Sequence, residues 1–193
     1  MVFQISTIIV LILFYGCYLY KMMLQKKAGI RTDQMGQGKD GVAKWIEIVM
    51  KMVTYLTVAA EAASVILDTG IFPVWLRSVG LILAIGGTLS FILAVYTMKD
   101  SWRAGVSCTD KTTLVTSGIF RISRNPAFLG FDLVYAGIVL MFFNVPLLAV
   151  SAAAALLLHL QVVNNEEPFL QEAFGGEYLE YKKRVNRYLG RRG

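Results

Sequence analysis

Long apolar runs separated by polar connections dominate the chain. Val2 to Tyr20 is apolar almost throughout, and a helix needs about 20 such residues to cross a bilayer. Lys21 to Lys44 is a polar linker whose centre, GIRTDQMGQGKDG, has loop chemistry. Trp45 to Leu67 is a second run, interrupted by Lys51 and Glu61, and Asp68-Thr69-Gly70 with Pro73 makes the turn after it. Val74 to Met98 is the third, where Gly80, Gly86 and Gly87 permit close helix approach. A polar connection from Lys99 to Arg124 precedes a fourth run, Pro126 to Phe143. Asn144-Val145-Pro146 leaves room only for a tight hairpin before the fifth, Leu147 to Val163. The tail, Glu166 to Gly193, is rich in Tyr, Lys and Arg and suits a helix lying along headgroups. The pattern predicts an all-α polytopic integral membrane protein with five transmembrane helices and a C-terminal amphipathic interfacial helix. Residues 1–193 form one membrane domain, with three spans in 1–98 and the polar site in 99–193.

Composition agrees with this. Mean hydropathy is +0.57 and 17% of residues are charged, against about a quarter in soluble domains. The first run has no basic segment before it and Lys21 directly after Tyr20, so it is expected to be an anchor rather than a cleaved signal. Cys17 and Cys108 make no disulfide framework and are both expected to be free.

Basic residues cluster in the first linker, in the third-to-fourth connection and in the tail. With five spans all three clusters fall on one side, which the positive-inside rule makes cytoplasmic, with the amino terminus outside. An even number of spans breaks that agreement. The net charge of +6 therefore suits anionic lipid headgroups rather than nucleic acid. No GxGxxG loop occurs, which excludes a Rossmann-type domain. The lone histidine, His159, has no Cys or His partner in range, which excludes a typical metal centre.

Two polar segments could carry chemistry. One is Thr112 to Gly130, TTLVTSGIFRISRNPAFLG, and the other is Asn164-Asn165-Glu166-Glu167. Asn125-Pro126 has the form of a helix start, with Asn as a cap and Pro in the first turn. A helix start also leaves N–H groups for an anionic ligand, and the two roles are compatible. Asn125, Phe128 and Asp132 share a helical face. Asp132 is an intramembrane carboxylate, either functional or paired with Arg121 or Arg124. His159 and Glu166 lie two turns apart, and His159 is either an inter-helix hydrogen bond or a general base. Glu166 and Glu167 are either a solvated helix end or acceptors for a polar or cationic ligand. Glu61, in AAEAAS, is either inter-helix glue or part of a substrate cavity.

From about Thr112 to Tyr188 the chain resembles the integral membrane methyltransferases of the isoprenylcysteine carboxyl methyltransferase and phospholipid methyltransferase group. The family's successive motifs read here TLVTSGIF, RNPAFLG, EEPFLQEAFGGEYLEY and KKRVNRYLG, in the family's order and spacing. The resemblance implies S-adenosylmethionine as cofactor, leaving as S-adenosylhomocysteine, held on the cytoplasmic side. It assigns the cofactor to Thr112, Thr113, Leu114, Val115, Phe120, Asn125, Pro126, Ala127, Phe128 and Glu166. Glu167 and His159 become candidates for accepting a proton, and Asp132, Val162 and Glu61 for lining the acceptor's side. Phe120 and Phe128 stand where many members have tyrosines, and Asn125 where many have histidine. Val162 replaces an arginine that serves the prenylcysteine substrate in eukaryotic members, which argues against prenylcysteine as acceptor.

The expected activity is methyl transfer to a carboxyl, amine or hydroxyl of a lipophilic substrate entering from the bilayer, with membrane lipids as the surroundings. Two alternatives remain open on the sequence. One is an NADPH-dependent sterol-type reductase, since those enzymes resemble this carboxyl-terminal arrangement, and the other is a non-catalytic membrane scaffold.

Overall fold

A computed structural model describes residues 1–36, 41–105 and 113–191. Apart from two isolated bridges, the regular structure among them is helical. The helices are α1 (Val2–Lys27), α2 (Gly41–Ile66), α3 (Val74–Met98), α4 (Pro126–Met141), α5 (Val145–Gln161) and α6 (Glu167–Arg184). Single 3-10 turns cover Lys99–Ser101 and Gly118–Arg121.

Four helical stretches are long and apolar enough to cross a membrane: Val2–Lys27, Gly41–Ile66, Val74–Ser101 and Val145–Arg184. Their outward faces carry large apolar side chains, among them Ile8, Ile9 and Ile12 on α1 and Met52, Tyr55 and Leu56 on α2. Such continuous apolar surface is rare on a soluble monomer. At 16 residues, α4 is shorter, rising about 24 Å against a hydrocarbon thickness of about 30 Å. It is also the central helix, with Val134, Ile138 and Met141 wholly buried. Neighbouring helices rather than lipid cover most of it, which relaxes the length requirement.

The tightest contact joins α3 to α4. Gly80 faces Gly137 and, two turns along, Gly87 faces Gly130. A methyl group at Gly80 would lie 2.6 Å from the Gly137 carbonyl oxygen, and one at Gly87 would lie 2.6 Å from that of Gly130. Both clashes are with backbone, so no side-chain movement relieves them. Gly86, expected to share this role, has open space where its Cβ would be.

Helix α2 turns a polar stripe inward. Glu47, Thr57, Glu61 and Ser64 are buried, whereas Trp45, Met52, Tyr55 and Leu56 are exposed. This inversion is the membrane-protein form of amphipathicity, in which polar groups seek the bundle interior because lipid cannot hydrogen-bond them. The stripe meets α5 and the first loop. Gln161 donates to Glu47 Oε1 at 2.7 Å, and Glu47 Oε2 accepts from the Gly36 backbone N–H at 2.6 Å. Asn165 donates to the Gln161 side chain and to the Ala43 carbonyl.

The fifth apolar run does not end before the tail. Helix α5 passes through a π turn, Val162–Glu166, directly into α6. The only break in α6 is at Gly175, whose φ of +49° is left-handed and suits a residue without a Cβ. Beyond Arg184 the tail straps back over the start of α4. The Arg124 and Asn125 backbone N–H groups donate to the Asn186 and Arg187 carbonyls, and Gly190 donates to Ile122. At this basic end the first loop is also clipped to the third. Gln34 donates to the Ala104 carbonyl, Ala104 to that of Thr32, and the Gln25 side chain to that of Trp102.

Candidate active site

Between α1, α2, α4, the Leu114–Phe120 loop and α6 lies a cavity of about 430 Å³, within the range of small-molecule sites. Thr113, Leu114 and Val115 enter from the loop, and Phe120 from the 3-10 turn. Asn125, Pro126, Ala127 and Phe128 line it from the first turn of α4, and Glu166 from the π turn. These are the residues expected on the cofactor, apart from Thr112, which lies outside the described residues. The π turn adds one residue to a helical turn, and such turns are frequent at functional sites. Arg124, Phe169, Phe174, Tyr178 and Tyr181 complete this half of the wall. The opposite half comes from the amino-terminal helices and loop, including Tyr15, Tyr18, Leu19, Asp33, Met50, Lys51, Thr54 and Tyr55.

Asn125 precedes α4 but its side chain does not cap it. The carboxamide instead donates to the Arg187 carbonyl at 3.1 Å, holding the tail strap against the cavity rim. The capping asparagine is Asn144, whose Oδ1 accepts from the Leu147 N–H at 2.8 Å. Its Nδ2 donates to the Ser64 hydroxyl at 2.7 Å, joining the α4–α5 hairpin to α2.

Glu167 and His159 do not line the cavity. Glu167 is buried and faces three cations: Arg124 at 3.0 Å, Arg187 at 2.8 Å and Lys182 at 3.2 Å. Burial alone would raise its carboxyl. The Arg187 hydrogen bond, the Arg124 charge and the Lys182 bond outweigh burial and pull it down to about 2. A carboxylate so held is a weak base, and it braces the strap. Arg124 is buried alongside, its remaining donors directed to the Tyr178 hydroxyl at 2.7 Å and the Val185 carbonyl at 3.1 Å. The Tyr181 hydroxyl donates to the Phe120 carbonyl at 2.6 Å, fixing the 3-10 turn. His159 Nδ1 stands 2.7 Å from the Tyr188 hydroxyl, so its partner is the tail rather than another helix.

The three residues expected on the acceptor's side also sit off the cavity wall. Val162 is completely buried in the π turn. Asp132, on the same helical face as Asn125 and Phe128, does not line the cavity. Its Oδ1 has no hydrogen-bond partner, and its charge acts on Tyr188, where burial first and Asp132 second push the phenol up to about 12. Arg124, a partner foreseen for Asp132, is engaged by Glu167 instead. Glu61 is completely buried and accepts from the Tyr15 hydroxyl at 2.8 Å; of this pair, Tyr15 lines the cavity.

Several wall residues escaped the sequence reading: Tyr15, Asp33, Lys51 and Thr54. Asp33 and Lys51 form an ion pair on the wall. The readable signal was the spacing on α2. Glu47, Thr54 and Glu61 recur every seven residues, a polar face on an apolar run.

The architecture is thus a bundle of helices of membrane-crossing length around a cavity walled by aromatic and polar groups near its basic end. The sequence profile of the phospholipid methyltransferase family matches residues 75–177, and the chain belongs to that family. Among named relatives, the chain is 33% identical over 113 residues to rat (Rattus norvegicus) protein-S-isoprenylcysteine O-methyltransferase, covering 58% of this chain and 40% of that protein. Its human (Homo sapiens) counterpart is 34% identical over 114 residues, covering 58% and 40%. Protein-S-isoprenylcysteine O-methyltransferase A of Arabidopsis thaliana is 32% identical over 114 residues, covering 58% and 57%. The matches span about half the length of these relatives. The family match begins at α3, so α1 and α2, which supply the other half of the cavity wall, lie outside it.

Proposed function

We propose that the protein is an S-adenosylmethionine-dependent methyltransferase acting on a lipophilic substrate drawn from the bilayer. The observation that carries this reading is convergence. Residues from the Leu114–Phe120 loop, the start of α4 and the π turn are far apart in sequence, yet they border one cavity. In this reading the helices cross the membrane five times, the amino terminus is outside, and the basic end with the cofactor site is cytoplasmic.

Bound there, S-adenosylmethionine supplies a methyl group on a cationic sulfonium. The residues present fit such a group. Phe120, Phe128, Phe169 and Phe174 offer aromatic faces, which attract a cation without solvating it. The tyrosine-to-phenylalanine differences at Phe120 and Phe128 leave those faces in place. Glu166 brings negative charge from the π turn, and Asn125 fixes the rim. Charge disperses as a methyl leaves a sulfonium, so a dry, oriented site serves the reaction better than strong acid catalysis. The strap and α6 exclude water on one side. Leu19 and Tyr55, exposed on the outer faces of α1 and α2 and also on the cavity wall, mark the route for an acceptor from lipid.

The test is calorimetry with S-adenosylhomocysteine on the purified chain, alongside an NADPH titration. Saturable binding of the nucleoside, weakened at least tenfold by Asn125→Ala and by Glu166→Ala, is the expected result. Saturable binding of NADPH in its place would indicate a reductase, and binding of neither would indicate a scaffold.

A further inference from the structure

The position of Glu167 and His159 leaves the transfer without the proton acceptors foreseen for it, and the amino-terminal half contains another. Tyr15 lines the cavity and donates its hydroxyl proton to Glu61 Oε2 at 2.8 Å. Glu61 is wholly buried, and its other oxygen has no hydrogen-bond partner. No cation pairs with it among the described residues. The Tyr135 hydroxyl, also buried, lies beside Tyr15 and Thr54. Thr54, on the same stretch of wall, has its hydroxyl proton committed to the Met50 carbonyl at 2.8 Å. Toward the cavity, Tyr15 and Thr54 therefore present lone pairs, and the ligand group that matches is a hydrogen-bond donor. Of the cations lining the cavity, Lys51 is engaged by Asp33, Arg124 on the far half by Glu167, and Arg103 by the Asp100 and Trp102 carbonyls, so a carboxylate has little to attract it to the Tyr15 end.

On the methyltransferase reading above, we infer that Tyr15 and Glu61 form a proton relay and that the methyl acceptor is the hydroxyl of a lipophilic alcohol or phenol. The acceptor's O–H bond breaks as its oxygen forms the new O–C bond to the methyl. The pair of the broken S–C bond stays on the donor's sulfur, giving the thioether. The acceptor's proton goes to Tyr15 Oη, and the Tyr15 proton passes to Glu61 Oε2. Receiving it neutralises a carboxylate buried without a cation, which favours the transfer, because an isolated charge is expensive in such surroundings. Tyr15 touches the substrate and is the catalytic residue; Glu61 acts through it.

The experiment uses the full chain in phosphatidylcholine nanodiscs, titrated with 4-dodecylphenol and with its O-methyl ether, with and without S-adenosylhomocysteine. The ether has the same apolar body and lacks the donated proton. The phenol is expected to bind about tenfold more tightly, the worth of one hydrogen bond. Tyr15→Phe should bring the ratio to about one. Glu61→Gln keeps an oxygen for the Tyr15 proton, so phenol affinity and KM should stay within about threefold of the parent. Transfer of labelled methyl from S-adenosylmethionine to the phenol should fall about a hundredfold, within the usual range for general-base loss. Equal binding of phenol and ether by the parent chain, a ratio unchanged in Tyr15→Phe, or undiminished turnover in Glu61→Gln would each overturn the relay. S-adenosylhomocysteine binding is read in every case. Its absence in the parent sinks the methyltransferase reading itself, whereas its presence beside equal phenol and ether binding sinks the relay alone.

Discussion

Helices α3 and α4 pack through facing glycines with their backbones nearly touching, whereas α1 and α2 scarcely meet. The bonds between the latter are Tyr15 to Glu61, with Gln4 of α1 also reaching the Val65 carbonyl at the end away from the basic loops. The family profile covers the tight pair and stops short of the loose one. The contrast suggests a division of labour. A rigid frame built on α3, α4 and the tail strap fixes one wall of the cavity. A looser pair of helices forms the other wall.

The largest effect is expected at the strap. Glu167→Ala strands buried Arg124 without its carboxylate, and losing one partner of a buried pair costs about 3–5 kcal/mol. A drop of that size should appear in the unfolding of the detergent-solubilised protein. Acid should act on the same residue. Its folded value of about 2 lies below its ordinary 4.5. Its contribution to stability is therefore complete above pH 4.5 and is lost as pH falls from there toward 2. Melting curves between pH 7 and pH 3 should show this loss, and Glu167→Gln should remove that part of the pH dependence.

Next in size comes the glycine seam. Gly87→Ala places a methyl against the Gly130 carbonyl, and overpacking of this kind costs about 1–3 kcal/mol. Asn144→Ala removes a cap and should cost about 1 kcal/mol by the same melting measurement. At the small end, Gly86→Ala and Tyr55→Ala should leave the melting temperature nearly unchanged, each within about 0.5 kcal/mol. Gly86 has open space and Tyr55 is 66% exposed. A large loss at Tyr55 would mean that the α1–α2 side is as rigid as the frame.

Much of this was legible in the chain. Apolar runs of fixed length force helices, because a backbone in lipid must satisfy its own hydrogen bonds. The order and spacing of four motifs gave the family. The residues expected on the cofactor fall in two short stretches, Thr112 to Phe120 and Asn125 to Phe128, with Glu166 apart, and all of them but Thr112, outside the described residues, border one cavity. The reading went astray wherever a side chain had a choice of partner. Asn125 has the form of a cap, but the returning tail offers its carboxamide the Arg187 carbonyl. Asp132 shares a helical face with Asn125 and Phe128, but it does not line the cavity, and its Oδ1 is buried without a hydrogen-bond partner.

By itself, then, the sequence determined the helices, their approximate ends and the membership of the family, because length, hydropathy and motif spacing are properties of one strand of chain. Only the tertiary structure decided which carboxylate is braced by cations and which is left buried without one. Glu167 and Glu61 are the same residue type, each in a helical segment. They differ in what distant parts of the chain bring to them: Arg124 and Arg187 to one, a single tyrosine hydroxyl to the other. The energy of a charge depends on its surroundings, and those surroundings exist only once the chain has folded.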